Sequence, residues 1–259
     1  MQMDKKRFLN SINCEDKNLI SNIFNKIQIA EKTNQIIFTN DFLPPAIWHQ
    51  IMAISEEYEI KPFTNGIFKD SDRRMLSFSS GESPIEYPIV LLKIKNKSKF
   101  AKVDHKDYLG AIMSLGIKRE KLGDLIIQDS VCYAPVCSDI SDFIINNLNT
   151  IKNCPCDVTE YDYISQDLPK RKFEEKVIIT TSFRLDGLVS AVCNISRNSS
   201  VELISSGKIL VNYFNCLKKD KVIENNDTLT IRGYGKFKVV EVVGNTQKGR
   251  LKVVINKYI

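Results

Sequence analysis

The chain has 259 residues, 43% hydrophobic and 26% charged, which suits two or three compact domains of an ordinary soluble protein. Its 37 Lys/Arg against 31 Asp/Glu leave a net charge of +6, and no apolar run approaches the roughly 18 residues of a membrane-spanning helix. Residues 1–10 are polar and basic without the apolar stretch of a secretory leader, and the 7 cysteines are odd in number, so reduced thiols and a cytoplasmic location are expected.

Residues 1–80 read as a mixed α+β region. Ile20, Ile23, Ile27 and Ala30 repeat at helical spacing. The run Asp41-Phe42-Leu43-Pro44-Pro45 starts a second helix through Trp48, Ile51 and Met52, because Pro is favoured in a first helical turn. Asn65-Gly66 is a turn dipeptide that predicts a hairpin between strands at 62–64 and 67–68. Met75 to Phe78 is a further strand, and the polar run 79–84 predicts a domain break.

Residues 84–165 give a regular alternation. Ile89 to Ile94 is an apolar strand, and Asp104 caps a helix with Asp107 completing a capping box. Tyr108, Leu109, Ile112 and Met113 supply the buried side of that helix, and Gly116 stops it. Strands at 125–128 and 131–134 flank Asp129-Ser130, a tight turn. Ser138 is expected to cap a second helix with Phe143, Ile144 and Leu148 inward, followed by a strand at 157–161. The order β-α-β-β-α-β predicts a ferredoxin-like, RRM-like domain. The aromatic strand signature of an RNA-recognition motif is absent; Tyr133 is the one evident strand aromatic. Residues 166–176 read as a linker.

The last ninety residues concentrate the positive charge. From Lys170 onward there are 17 Lys/Arg and 8 Asp/Glu, a net of +9, so the preceding residues sum to −3. A basic module on a mildly acidic body points to a polyanion, above all nucleic acid. Within 176–259, Ser182 is expected to cap a helix carrying Leu185, Leu188, Val189 and Val192 on one face, with Asp186 in its first turn. Ser196 caps a second helix with Val201 and Ile204 inward, and Gly207 ends it. Strands follow at 208–212, 228–232, 237–243 and 251–255. Arg184 and Arg197 thus stand at two helix starts, beside backbone N–H groups that are expected to be free for phosphate.

The ordered set Arg184, Leu185, Asp186, Ser196, Arg197, Ile204, Gly207, Val211, Asn212, Asp227 and Arg232 resembles the S4-type RNA-binding domain over 182–245. Tyr213 departs from the Gly that many such domains carry after the Asn. The resemblance implies RNA contact by Arg184, Arg197 and Lys208, extended to Arg232 and Lys236. The run from Asp104-His105-Lys106-Asp107-Tyr108 through Gly116 to Lys118-Arg119-Glu120-Lys121 and Asp124 resembles the YlmH family, as do 39–49 and Arg74 to Phe78. That family implies a non-enzymatic bacterial factor that binds rRNA and tRNA on the large ribosomal subunit in quality control of stalled nascent chains. It also implies other quality-control factors as partners and a link to cell division. Lys118, Arg119 and Lys121 are a second candidate RNA contact. A monomer without cofactors is expected.

Rival chemistry finds weaker support. An Arg-Leu-Asp motif also occurs in pseudouridine synthases, but here Gly187-Leu188-Val189-Ser190 follows and too few residues remain for their catalytic domain. Cys132/Cys137 and Cys154/Cys156 lack the spacing of a zinc knuckle. His49 and His105 have no nucleophile motif beside them. The alternatives are therefore an RNA-modifying enzyme or a division-associated interaction protein.

Overall fold

In the computed structural model, which describes residues 4–54, 59–98 and 103–258, the chain divides into two units, Met1–Lys170 and Arg171–Ile259. The fold is mixed α+β with antiparallel sheets throughout.

The first unit opens with α1 (Lys5–Ser11) and α2 (Lys17–Thr33). Asp4 and Asp16 cap them by accepting backbone N–H bonds, which satisfies donors that a helix start leaves open. Then come β1 (Ile37–Phe38), α3 (Pro45–Ile54), β2 (Lys61–Asn65) and β3 (Met75–Ser79), in a sheet ordered β1-β3-β2. Phe8, Ile20, Ile23, Phe24, Ile27, Ile51, Leu76 and Phe78 form the core beneath it. The expected strand at 67–68 is absent, and β2 pairs with β3 instead. The Asn65 side chain accepts the Ile67 N–H at 2.7 Å, and Ile67 takes φ +68°. This Asx turn throws the chain out of the ladder and sends Phe68 into a cluster with Leu91 and Ile126.

A five-stranded sheet follows, built from β4 (Ile89–Asn96), β5 (Ile126–Gln128), β6 (Val131–Cys137), β7 (Thr150–Ile151) and β8 (Cys154–Glu160) in the order β5-β6-β4-β8-β7. Helices α4 (His105–Met113) and α5 (Ser141–Asn147) bury Tyr108, Ile112 and Ile144 against Leu92, Ile94 and Val136. The Asp104–Asp107 capping box is formed. Asp129 and Ser130 both take positive φ, as a two-residue turn between twisted strands requires. Three details differ from expectation. Met113, expected on the buried side of α4, is 40% exposed. Ser138 opens a 3₁₀ turn, and α5 begins at Ser141. Phe143 points outward, 49% exposed, because Ile140, Ile144 and Leu148 at i, i+4, i+8 define the inner face.

The polar run 79–84 does not separate independent bodies. Phe42 and Met75 pack with Tyr87, Ile89 and Cys137 across it. The Arg73 guanidinium also crosses it, donating to the carbonyls of Leu122 at 3.2 Å and Phe42 at 2.8 Å.

The second unit is one six-stranded sheet with two helices. It comprises β9 (Phe173–Thr180), α6 (Leu185–Cys193), α7 (Arg197–Ser205), β10 (Ile209–Val211), β11 (Phe214–Asn215), β12 (Thr228–Ile231), β13 (Gly235–Asn245) and β14 (Leu251–Tyr258), ordered β11-β10-β12-β13-β14-β9. Leu185, Leu188, Val189 and Ile204 pack on Val211, Leu229, Phe237, Val239, Val253 and Ile255. The stretch read as a linker enters this sheet at Phe173: β9 pairs along its whole length with β14, joining Tyr258 to Phe173 and Leu251 to Thr180. Its polar beginning hid an edge strand, where charged residues are ordinary. The first helical residue of α6 follows Arg184, not Ser182, and no side chain caps it. Gly207 ends α7 at φ +69° as expected. Asn212 and Tyr213 both take positive φ between β10 and β11, so the tight turn forms despite the missing Gly.

Candidate nucleic-acid interface

In the second unit, Asp186 is the hub of the α6–α7 pair. Its side chain is only 5% exposed, whereas those of Arg184 and Arg197 are 41% and 54% exposed. Arg197 donates from Nε at 3.1 Å and Nη2 at 3.2 Å, one bond to each carboxylate oxygen. Arg184 does the same from the other side, both bonds at 3.3 Å. The Gly187 N–H adds a fifth bond at 2.9 Å. Each guanidinium is thus gripped on one edge and presents its remaining N–H donors to solvent, a fixed pair of forks suited to phosphate oxygens. Ser200 ties the helices further, its hydroxyl donating to the Asp186 carbonyl at 2.8 Å.

Burial pushes the Asp186 carboxyl up, but the hydrogen bonds from Arg197 and then Arg184, with the Gly187 N–H, outweigh it and hold the group below the ordinary carboxylate range. The same hydrogen bond raises Arg197. A carboxyl depressed in the folded state stabilises the fold above its unfolded pKa, about 3.9 for Asp. That contribution disappears as pH falls through the lower folded value. Amide exchange at Leu188 and Val189 should therefore accelerate, beyond the intrinsic pH effect, as pH drops from about 4 toward 2. Asp186→Asn should remove the acceleration; an unchanged pH dependence in that variant would mean Asp186 is not its source.

The helix-start N–H groups are not all open as expected. The first two of α6 are taken by the carbonyls of Lys221 at 2.9 Å and Lys219 at 3.0 Å, and the third by Asp186. An anion at this point would meet guanidinium groups rather than the α6 end. The same bonds bring the exposed run Lys218-Lys219-Asp220-Lys221 against Arg184, which itself bridges to Val222. Those three lysines add to the surface, and their charge run was the available signal for them.

Lys208 and Arg232 are exposed and linked through the backbone, the Arg232 N–H donating to the Lys208 carbonyl at 3.0 Å. Lys236 is partly enclosed: its Nζ lies 4.3 Å from the Tyr258 ring centre and 4.6 Å from that of Tyr213, and donates to the Tyr213 hydroxyl at 3.0 Å. Tyr213, unremarkable beyond its departure from Gly, is thereby an anchor for this cation.

The cations of the first unit stand differently. Lys118 is exposed. Arg119 donates from Nη1 to the carbonyls of Leu122 at 2.6 Å and Gly123 at 3.2 Å. Its burial, with Arg73 alongside, pulls the guanidinium down to about 10 against the opposing charge of Asp124. Lys121 reaches Asp139 at 2.8 Å, the Asn40 carbonyl at 3.1 Å and Asp41 at 3.2 Å. Burial opposes its charge, and the bonds to Asp139 and Asp41 more than compensate, raising its pKa. The opposite sheet face is covered by the chain itself: Tyr133 and Tyr161 meet edge to face at 5.0 Å, with Phe68, Tyr163 and Leu168 around them. Among the described residues no group of three or more His, Cys, Asp or Glu is placed to hold a metal ion, and no helix is long and apolar enough to cross a membrane.

Residues 83–165 match a family described as "Putative RNA-binding domain in YlmH". The chain is 25% identical over 220 residues to the ribosome-associated protein quality control protein P2 of Bacillus subtilis (strain 168), covering 84% of this chain and 86% of that protein. A solved structure, cell division protein ylmH from Streptococcus pneumoniae, superposes with a TM-score of 0.51 at 17% identity, over 60% of this chain and 95% of the other.

Proposed function

The chain belongs to the YlmH family, and from that premise we propose that it is a non-enzymatic RNA-binding factor of the large ribosomal subunit. In this reading it contacts rRNA and tRNA there, acts in quality control of stalled nascent chains, and works in the cytoplasm as a monomer without cofactors. One observation carries it: the Arg184–Asp186–Arg197 clamp, two half-exposed guanidinium groups oriented by one buried carboxylate. The C-terminal unit is read as S4-type, with Lys208, Arg232 and Lys236 extending the phosphate surface. The order β5-β6-β4-β8 with two helices on one face is read as ferredoxin-like. In that middle domain Lys118 is the most available cation, while Arg119 and Lys121 contribute to RNA contact mainly by holding the loop that carries it.

The name of the B. subtilis relative supports the ribosomal reading. Structured RNA is recognised largely by shape and backbone, which a rigid array of cations suffices to read. Against the enzyme alternative, Asp186 already accepts five hydrogen bonds and is hardly exposed. The name of the pneumococcal neighbour favours a second reading, an interaction protein in division; it predicts partner binding that survives loss of Arg184 and Arg197.

Sedimentation of tagged protein through sucrose gradients of cell lysate tests the proposal. The protein should travel with large subunits at low salt. With about five phosphates neutralised, affinity should drop roughly a hundredfold or more between 50 and 200 mM salt. Protein that stays at the top of the gradient at both salts would overturn it.

A further inference from the structure

The second unit also holds a cavity of about 310 Å³ lined by Ile195, Ser199, Glu202, Leu203, Ser206, Lys208 and Tyr234. Three different elements supply its chemistry. Glu202 stands on the outer side of α7, Lys208 follows the Gly207 stop, and Tyr234 sits in the turn between β12 and β13. That turn depends on Gly233, whose φ of +90° disfavours any side chain although space around it is open. The Tyr234 N–H closes the turn on the Ile231 carbonyl at 3.0 Å, which fixes the aromatic residue over the end of α7. Tyr234 is 40% exposed, and among the described residues no other ring stacks on it.

Glu202 is the informative member. A carboxylate repels phosphate, so its place in the wall of a cavity on the basic unit does not fit a purely backbone-binding surface. It is exposed, and among the described residues no cation pairs with it. A carboxylate accepts only, through two oxygens side by side. Among the nucleobases, guanine offers two adjacent donors, N1–H and the N2 amino group. Adenine and cytosine place a ring acceptor beside their amino donor, and uracil's single N–H lies between two carbonyls. The remaining lining fits the rest of a nucleotide: an aromatic face for the base and an ammonium for its phosphate.

We propose that this cavity captures one unpaired guanine of the bound RNA. Its Watson–Crick edge lies on Glu202, its face on Tyr234 and its 5′-phosphate on Lys208. The inference rests on the RNA-binding reading above and adds a base-specific contact to it. Ser199 and Ser206 supply hydroxyls at the rim, although each already bonds within the protein, to Ser196 at 2.8 Å and to the Leu203 carbonyl at 3.1 Å.

The test is amide NMR of the ¹⁵N-labelled full chain titrated with 5′-GMP, 5′-IMP, 5′-AMP and inorganic phosphate. GMP should shift Ser199, Glu202, Lys208 and Tyr234 and bind about tenfold better than IMP, which lacks the second donor. AMP should bind no better than IMP, and within the cavity phosphate alone should reach only Lys208, its other shifts falling at the Arg184 and Arg197 forks. Glu202→Gln, at an exposed helix position, should keep the phosphate response and lose the preference for GMP. Tyr234→Ala should weaken all three nucleotides by about tenfold while sparing phosphate. Equal responses to GMP and AMP within the cavity, an absence of GMP shifts at Glu202 and Tyr234, or a GMP preference that survives in Glu202→Gln would each overturn the proposal. Failure of the ribosomal reading would show separately, as loss of sedimentation by the unaltered chain.

Discussion

The double variant Arg184→Ala, Arg197→Ala is expected to abolish salt-sensitive sedimentation with large subunits and also to loosen the C-terminal unit. The two effects have different causes. Binding is lost because the outward forks are gone. Stability is lost because Asp186, 5% exposed, keeps its charge but loses the four guanidinium bonds and retains only the Gly187 N–H. A buried polar group stripped of its hydrogen bonds costs about 1–3 kcal/mol, and the lower half of that range applies because water reaches the carboxylate once both half-exposed side chains are truncated. A binding defect in the double variant alone would therefore be ambiguous. Adding Asp186→Asn resolves it. The amide oxygen still accepts the Gly187 N–H, while the unpaired charge disappears. The triple variant should regain most of the protection of α6 amides from exchange and still fail to sediment. Recovery of sedimentation in the triple variant would show that the arginines act by holding the fold, and that the phosphate surface lies elsewhere.

This coupling explains why the arginines were legible in the sequence while the role of Asp186 was only half so. A helix-start Arg-Leu-Asp followed eleven residues later by an Arg shows that charges are close in the chain. It does not show that both guanidinium groups converge on one buried carboxylate. Helix periodicity found α2, α4, α6 and α7, because their buried faces are built from locally spaced residues. Strand pairing was less accessible. The Asn65-Gly66 dipeptide suggested a local hairpin, but the partner of β2 lies beyond a loop tied by Asn65 and buried by Phe68, a contact made with a distant sheet. The linker expected over 166–176 runs into edge strand β9 at 173–176 for a related reason: the register of β9 is set by β14, some eighty residues on, and not by its own composition. The wall of the guanine cavity is assembled from α7, the start of β10 and the β12–β13 turn, so no spacing rule in the sequence pointed to Glu202 or Tyr234.

Asp124→Ala is expected to destabilise the first unit strongly, because of two cations that sequence reasoning did not place together. The Asp124 carboxylate is buried and accepts the backbone N–H groups of Asp72 and, at 3.3 Å, Arg73. Around it the Arg73 and Arg119 guanidinium groups both bind the Leu122 carbonyl, at 3.2 and 2.6 Å, so two positive charges lie side by side. Burial lowers the pKa of each, and Asp124 is the charge that offsets this in both cases. Removing one member of such a buried set costs about 3–5 kcal/mol, here toward the lower value because both arginines are partly exposed. Asp124→Asn preserves an acceptor for the two N–H groups and loses only the charge, so its cost should be about half as large. The sole tryptophan reports on this site directly: Trp48 donates from Nε1 to the Asp72 carbonyl at 2.8 Å, and Arg74 lies 5.3 Å from its ring centre. Urea unfolding followed by Trp48 fluorescence should show the midpoint falling in the order wild type, Asp124→Asn, Asp124→Ala. An unchanged midpoint in the alanine variant would mean that apolar packing of Phe42 and Met75 on Tyr87 and Ile89 holds the two parts of this unit together without the charge cluster.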